Sequence, residues 1–278
     1  MIMAAEPFQQ KDTTFLSLPQ WENLIKGLTV GFTAKSGGVS SDAYSTLNLG
    51  LHVQDHSEKV VQNRGILASC LSFPLKNWVF AEQIHSTHIE KVSKQDRGRG
   101  LAAYEEGLAG SDGLYTKDAG VMLSLCFADC VPLYFIAPEK HLIGLAHAGW
   151  KGTVNDIGGK MVRKWIDEED ADPLDIKVAI GPAIGECCYI VDDKVISAIN
   201  KTVVGKYPSV YHSVSDGQYK LDLKQLNKYL LLESGVKEEN ITISQQCTSC
   251  EKDLYFSHRR DGGKTGRMLS FIGIYKEA

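Results

Sequence analysis

Residues 121–153 read VMLSLCFADCVPLYFIAPEKHLIGLAHAGWKGT. Three apolar runs, 121–127, 131–137 and 141–147, are parted by short breaks containing Asp129, Cys130 and Pro138. Runs of this length bounded by turn residues read as buried strands. They do not read as a membrane span, because Asp129 and Pro132 interrupt the longest apolar stretch, Val121 to Pro138. A charge and a thiol stand where the first run gives way to the second. A histidine, His147, ends the third, just before a Gly-Trp-Lys-Gly turn.

Outward from this strand group, strands and helices mix along the whole chain. LTVGFTAKSGGVS reads as a strand followed by a glycine turn. Residues 56–72 have apolar side chains at helical spacing, and Asp55-x-x-Glu58 resembles a capping box. WVFAEQIH reads as a strand ending at His85, and the glycine- and charge-rich 95–113 as a loop. A helix after Gly152 carries Ile157, Met161, Val162 and Trp165. IKVAIGP is a buried strand, and DDKVISAIN and LDLKQLNKYLLLESG are helices, the second closed by Gly235 as a left-handed cap. ITISQQ and RMLSFIGIY are final strands. With no linker, repeat or low-complexity segment, this predicts one mixed α/β domain over 1–278.

Of the 278 residues, 43% are hydrophobic and 23% charged, a globular balance that needs no covalent staples. The net charge of -4 argues against a nucleic-acid scaffold. The opening MIMAAEPFQQKD has neither a basic nor a long apolar segment, so it is not a signal peptide. The expected location is the cytoplasm, with the seven cysteines as reduced thiols.

His85, Cys130 and His147 all fall at expected strand ends, which are rigid and aim side chains at a common point. Two imidazoles and one thiolate suit Zn²⁺, and three protein ligands leave a fourth position for water, as in catalytic zinc sites. Read separately, the cysteine is a small buried hydrophobe and the histidines are strand-end residues. Asp129 either orients a ligand, acts as acid or base, or is a turn aspartate. Cys247-Thr-Ser-Cys250 is a single C-x-x-C with no second pair, which reads as two incidental thiols. Cys187 and Cys188, adjacent in extended chain, would face opposite ways and share no ligand. SHRRDGGKTGR, from Ser257, lacks the leading glycine of a Walker A loop and precedes a strand. Its His258, Arg259, Arg260, Lys264 and Arg267 either hold an anion or decorate a solvated loop. Arg64, on the 56–72 helix, is either another anion contact or a surface arginine.

The ordered set QIHSTH, SDGLYT, ADCVPLYF, AHAGWKGT, GPAIGECCYIV and CTSC…FSHRRDGGKTGR, preceded by TLNLGLHVQD, resembles the YfiH-type, or laccase-domain, family from about Gly31 to Tyr275. The resemblance implies a compact α/β sandwich with Zn²⁺ on His85, Cys130 and His147. It implies phosphorolysis of adenosine, inosine, guanosine and 5′-methylthioadenosine, and deamination of adenosine. On that reading Cys130, Asp129 and His147 are the catalytic candidates, and Arg64, His258, Arg259 and Arg267 the phosphate candidates. The partners are purine nucleosides and phosphate, with no nucleic acid and no membrane, and the chain is a monomer or a homodimer. Copper on the same ligands is an alternative occupant and would bring polyphenol oxidase-like activity. A true multicopper enzyme is disfavoured, because the chain has eight histidines and no His-x-His pair. Two rivals remain: a non-enzymatic binding protein stabilised by metal, and a cysteine hydrolase using Cys130.

Overall fold

A computed structural model of the chain describes residues 5–202 and 207–275. The first four residues of the segment inspected for a signal peptide lie outside that range. The strands are β1 (Gln9–Gln10), β2 (Phe15–Ser17), β3 (Leu28–Thr33), β4 (Trp78–Phe80), β5 (Ile89–Lys91), β6 (Gly113–Thr116), β7 (Met122–Phe127), β8 (Val131–Ala137), β9 (Leu142–Ala148), β10 (Lys177–Ile180), β11 (Ile190–Asp192), β12 (Tyr211–Ser215), β13 (Gln218–Leu221), β14 (Ile241–Ile243) and β15 (Met268–Ile274). The α-helices are α1 (Ser57–Cys70), α2 (Trp150–Val154), α3 (Ile157–Glu169), α4 (Asp193–Thr202) and α5 (Leu223–Glu233). One six-stranded sheet runs β1-β2-β3-β15-β7-β4, the other β14-β10-β8-β9-β6-β5, and β11-β13-β12 form a small third sheet.

The two large sheets pack face to face, which is why the central strands are apolar on both sides. Along β8, Val131, Leu133, Phe135 and Ala137 face Ile157, Met161, Val162 and Trp165 of α3 and Leu226, Leu230 and Leu231 of α5. The intervening Tyr134 and Ile136 face the other sheet, where Val30, Phe32, Leu123, Leu125, Phe127 and Ile272 meet them. The period of two thus divides one continuous apolar run between two cores. A third core covers the far side of the first sheet, where Leu67 and Ala68 of α1 meet Trp78, Phe80, Met122, Leu269 and Phe271. The layers are helix, sheet, sheet, helices, the sandwich that the motifs led us to expect.

The register of the second sheet brings three strand ends together. Val131 pairs with Ala148 and Pro132 with His147, so Cys130 lies beside the Ala148–Gly149 end of β9. Gly113 pairs with Ala146, which places the preceding Asp112 next to His147. Gly149 is closely packed here, since a Cβ on it would lie 3.0 Å from the Cys130 Sγ and 3.3 Å from the His85 ring.

Several local expectations are corrected. The run before His85 is strand only from Trp78 to Phe80, and His85 sits in a turn with φ of 61°. Its backbone N–H groups are engaged by an aspartate rather than by a ladder. The expected capping box at α1 does not form: His56 is the cap, and Asp55 instead accepts from Ser40 Oγ and Asn48 Nδ2. The helix after Gly152 is two helices, α2 and α3, broken at Asn155 and Asp156. Gly235 does adopt a left-handed φ of 97° after α5.

Gly144 lets Trp165 lie directly on β9, because a Cβ there would stand 3.0 Å from the indole. Gly144→Val should therefore destabilise the fold by about 1–3 kcal/mol through overpacking. Urea unfolding followed by Trp fluorescence measures it, and a cost near zero would contradict this packing.

Candidate metal centre and pocket

The site begins with one carboxylate. Asp112 is fully buried at the entrance to β6. Its Oδ1 accepts the backbone N–H of His85 (3.1 Å), and its Oδ2 accepts those of Ile84 (3.2 Å) and Ser86 (2.6 Å). The His147 Nδ1–H donates to Oδ1 at 2.8 Å. Asp112 therefore shapes the turn carrying His85 and fixes the tautomer of His147, leaving Nε2 for Cys130. Burial opposes ionisation of Asp112, but the bonds to His147 and the Ser86 amide hold its carboxyl below the usual range.

The donor atoms of His85, Cys130 and His147 all lie within 4.8 Å of one another. The two imidazoles meet edge to face, and Phe127 packs on His147 from another side. Burial pushes the Cys130 thiol up, but the charge and hydrogen bond of His147, with a hydrogen bond from His85, bring it down to about 6. Burial works against charge on His147 too, yet the Cys130 thiolate and Asp112 raise it to about 9. Two imidazoles and one thiol placed this closely could hold a metal ion, and Asp112 supplies the outer carboxylate that metal-ligating histidines commonly have.

The three residues open into a cavity of about 740 Å³, lined also by His52, Gln83, Cys126, Asp129, Trp150, Tyr189, His258, Arg259 and Arg267. This is within the usual size range of small-molecule sites. Arg259 hydrogen-bonds the Ile190 carbonyl through Nη1 (2.7 Å) and lies over the Tyr189 ring, so it is held at the cavity wall. Arg267 donates from Nη1 to the carbonyls of Thr265 and Gly266. His52 is pushed down to about 4 by burial and by the charges of Arg267 and Arg64, so its ring is neutral near pH 7.

Not every candidate falls here. Arg64 is buried and lines no part of the cavity. Its Nε and Nη2 donate to the Leu49 carbonyl, its Nη1 to Gly100 and Leu101, and its guanidinium stacks on Phe80. Arg64 is thus neither an anion contact nor a surface arginine, since its donors are taken up by backbone carbonyls. Arg260 and Lys264 face a different depression. Asp129 reaches the cavity edge but orients no member of the triad. Its carboxylate accepts from Thr248 Oγ1 (2.6 Å), Ser257 Oγ (3.0 Å) and the Arg259 N–H (2.7 Å), tying the 248–259 segment to the β7–β8 turn. The residues that the sequence reading missed are Asp112, Gln83, His52 and Tyr189. Gln83 exchanges hydrogen bonds with the backbone of Cys126 in both directions. The one sequence signal for Asp112 was an aspartate placed at the start of a buried strand.

Asp112→Asn should weaken zinc binding about 10–100-fold, the usual cost of losing an outer-shell carboxylate. A chelator-competition titration measures it. The affinity of the wild type should also depend on pH. Between about pH 6 and 9 the thiol is already ionised while His147 must lose its proton to bind, so affinity should rise about tenfold per pH unit and level off above 9. A flat profile over that window would contradict the thiolate–imidazolium pair.

The family model described as "Multi-copper polyphenol oxidoreductase laccase" matches residues 29–275. The chain is 53% identical over 251 residues to purine nucleoside phosphorylase YlmD of Geobacillus stearothermophilus, covering 90% of this chain and 92% of that one. It is 46% identical over 275 residues to purine nucleoside phosphorylase YlmD of Bacillus subtilis, covering 98% of both. The crystal structure of YlmD from G. stearothermophilus superposes with a TM-score of 0.94 at 50% identity, covering 98% of this chain and all of that one. No described helix is long and apolar enough to cross a membrane. In sequence, fold and the convergence of its strand ends, the chain belongs to the YfiH-type, laccase-domain family alongside the bacterial YlmD proteins.

Proposed function

We propose that the cavity is the active site of a zinc-dependent purine nucleoside phosphorylase. One observation carries the reading: a two-histidine, one-cysteine centre and the basic residues His258, Arg259 and Arg267 line the same cavity. The names of the YlmD relatives support the reaction class. In phosphorolysis a phosphate oxygen bonds to C1′ of the ribose as the bond to the purine breaks. Positive charge builds on the sugar and negative charge on the leaving base.

Each part of the wall has a task in that reaction. Arg259 and Arg267 each have Nη1 committed to backbone carbonyls, which leaves Nε and Nη2 to hold phosphate. Trp150, Ile184 and Tyr189 offer the purine an apolar surface. His85, Cys130 and His147 would hold Zn²⁺, which when bound supplies Lewis-acid stabilisation of developing negative charge. Asp112 keeps His147 oriented, and Asp129 positions the backbone of Arg259. The proposed substrates are adenosine, inosine, guanosine and 5′-methylthioadenosine. Deamination of adenosine to inosine is the proposed side activity of the same centre, where three protein ligands would leave a bound metal one position for water.

Incubation of zinc-loaded protein with adenosine, with and without phosphate, tests this by mass spectrometry. Adenine and ribose 1-phosphate should appear only with phosphate and vanish in Cys130→Ala or after chelation. Arg267→Ala should raise the KM for phosphate about 10–100-fold, the effect of losing a charge-assisted contact. Inosine in both buffers would mark deamination as dominant. If neither product forms, the proposal fails.

A further inference from the structure

A second group of ligand-type side chains stands apart from the triad. Cys187 and Cys188 lie in the turn before β11, and Cys247 and Cys250 in the turn after β14. The two turns are joined by a parallel bridge between Ala183 and Cys247. The four sulfurs lie within 4.8 Å of one another. Cys250 Sγ is 3.5 Å from that of Cys187 and 3.4 Å from that of Cys188. Thiolates around one zinc ion at about 2.3 Å sit about 3.8 Å apart, so these spacings match a four-sulfur tetrahedron. A disulfide joins sulfurs in pairs at about 2.05 Å and gives no reason for four to converge.

The backbone around the group is arranged as at a metal. The Gly185 N–H donates to Cys247 Sγ at 3.2 Å, which suits a thiolate. The N–H groups of Cys250 and Glu251 both donate to the Cys247 carbonyl, which curls the C-x-x-C into a tight turn. Gly185 is confined: a Cβ on it would lie 3.2 Å from Cys187 Sγ and 3.5 Å from Cys247 Sγ. The expectation that adjacent cysteines share no ligand assumed extended chain. Residues 186–188 form a turn instead, with the Cys188 and Tyr189 N–H groups both donating to the Gly185 carbonyl, and both thiols reach Cys250.

We propose that Cys187, Cys188, Cys247 and Cys250 form a second, closed zinc site that clamps together two segments of the cavity wall. Four protein ligands leave no open position, so the site is structural. One clamped segment supplies Ile184, Tyr189, Ile190 and Val191 to the cavity, and the other leads to His258 and Arg259. Thr248, next to Cys247, donates a 2.6 Å hydrogen bond to Asp129, which links the clamped segment to the β7–β8 turn. The site stands independently of the reaction proposed for the cavity.

Native mass spectrometry of zinc-loaded wild type, purified under reducing conditions, should show about two zinc ions per chain. His85→Ala/Cys130→Ala should retain one, and Cys188→Ser/Cys250→Ser should retain the other. Should either variant fail to fold, the cobalt-substituted wild type decides: a four-thiolate site gives intense sulfur-to-metal charge transfer that a single thiolate does not. Amide hydrogen exchange should accelerate in 184–192 and 247–259 when Cys250→Ser is made. One zinc per chain, with none left in the triad variant, would overturn the proposal. So would an as-isolated mass lower by a pair of hydrogens with these cysteines closed to alkylation. Metal loss with unchanged exchange would overturn the clamping role.

Discussion

The candidate metal centre rests on the burial of one carboxylate. Asp112 has no exposure to water, so its charge must be satisfied by fixed donors. It finds them in three consecutive amides, those of Ile84, His85 and Ser86, and in the His147 imidazole, so it holds two of the three candidate ligands, His85 through its backbone and His147 through its ring. Moving Asp112 would release His85 and His147 together. The third ligand is fixed differently, by the pairing of β8 with β9.

Two of the described non-glycine residues with positive φ stand at the same place, the others lying elsewhere in the chain. His85 and Asp129 are both non-glycine residues in left-handed conformations, with φ of 61° and 83°. Each conformation is disfavoured, and each is held by hydrogen bonds that converge from elsewhere in the chain. At His85 the holding group is the Asp112 carboxylate. At Asp129 it is the side chain itself, bound to Thr248, Ser257 and Arg259. The two turns bring His85 and Cys130 to His147 at the mouth of the cavity, His85 remaining exposed.

What was legible in sequence follows from locality. The strands β7, β8 and β9 were readable because apolar runs between turn residues are a local signal. The triad was readable because its members stand where such runs end, although His85 reached it from a turn and not from a strand. Asp112 was not readable, since its importance lies in groups 26 to 35 positions away. Arg64 misled for the same reason: the carbonyls that absorb its donors come from Leu49, Gly100 and Leu101. The hairpin β12–β13 escaped because its residues are mostly exposed and carry little apolar alternation.

The place of β15 in the first sheet has a further consequence. It lies between β3 and β7, yet it follows every other described strand in the chain. During synthesis the early strands emerge long before the partner that joins them. Until then β3 and β7 each present an unpaired edge, which is an opportunity for misassociation. The second sheet has no such delay in its β8–β9–β6 centre. The order of formation is therefore asymmetric: one half of the sandwich can assemble as the chain appears, while the other waits for a late insertion that closes the core and the cavity above it.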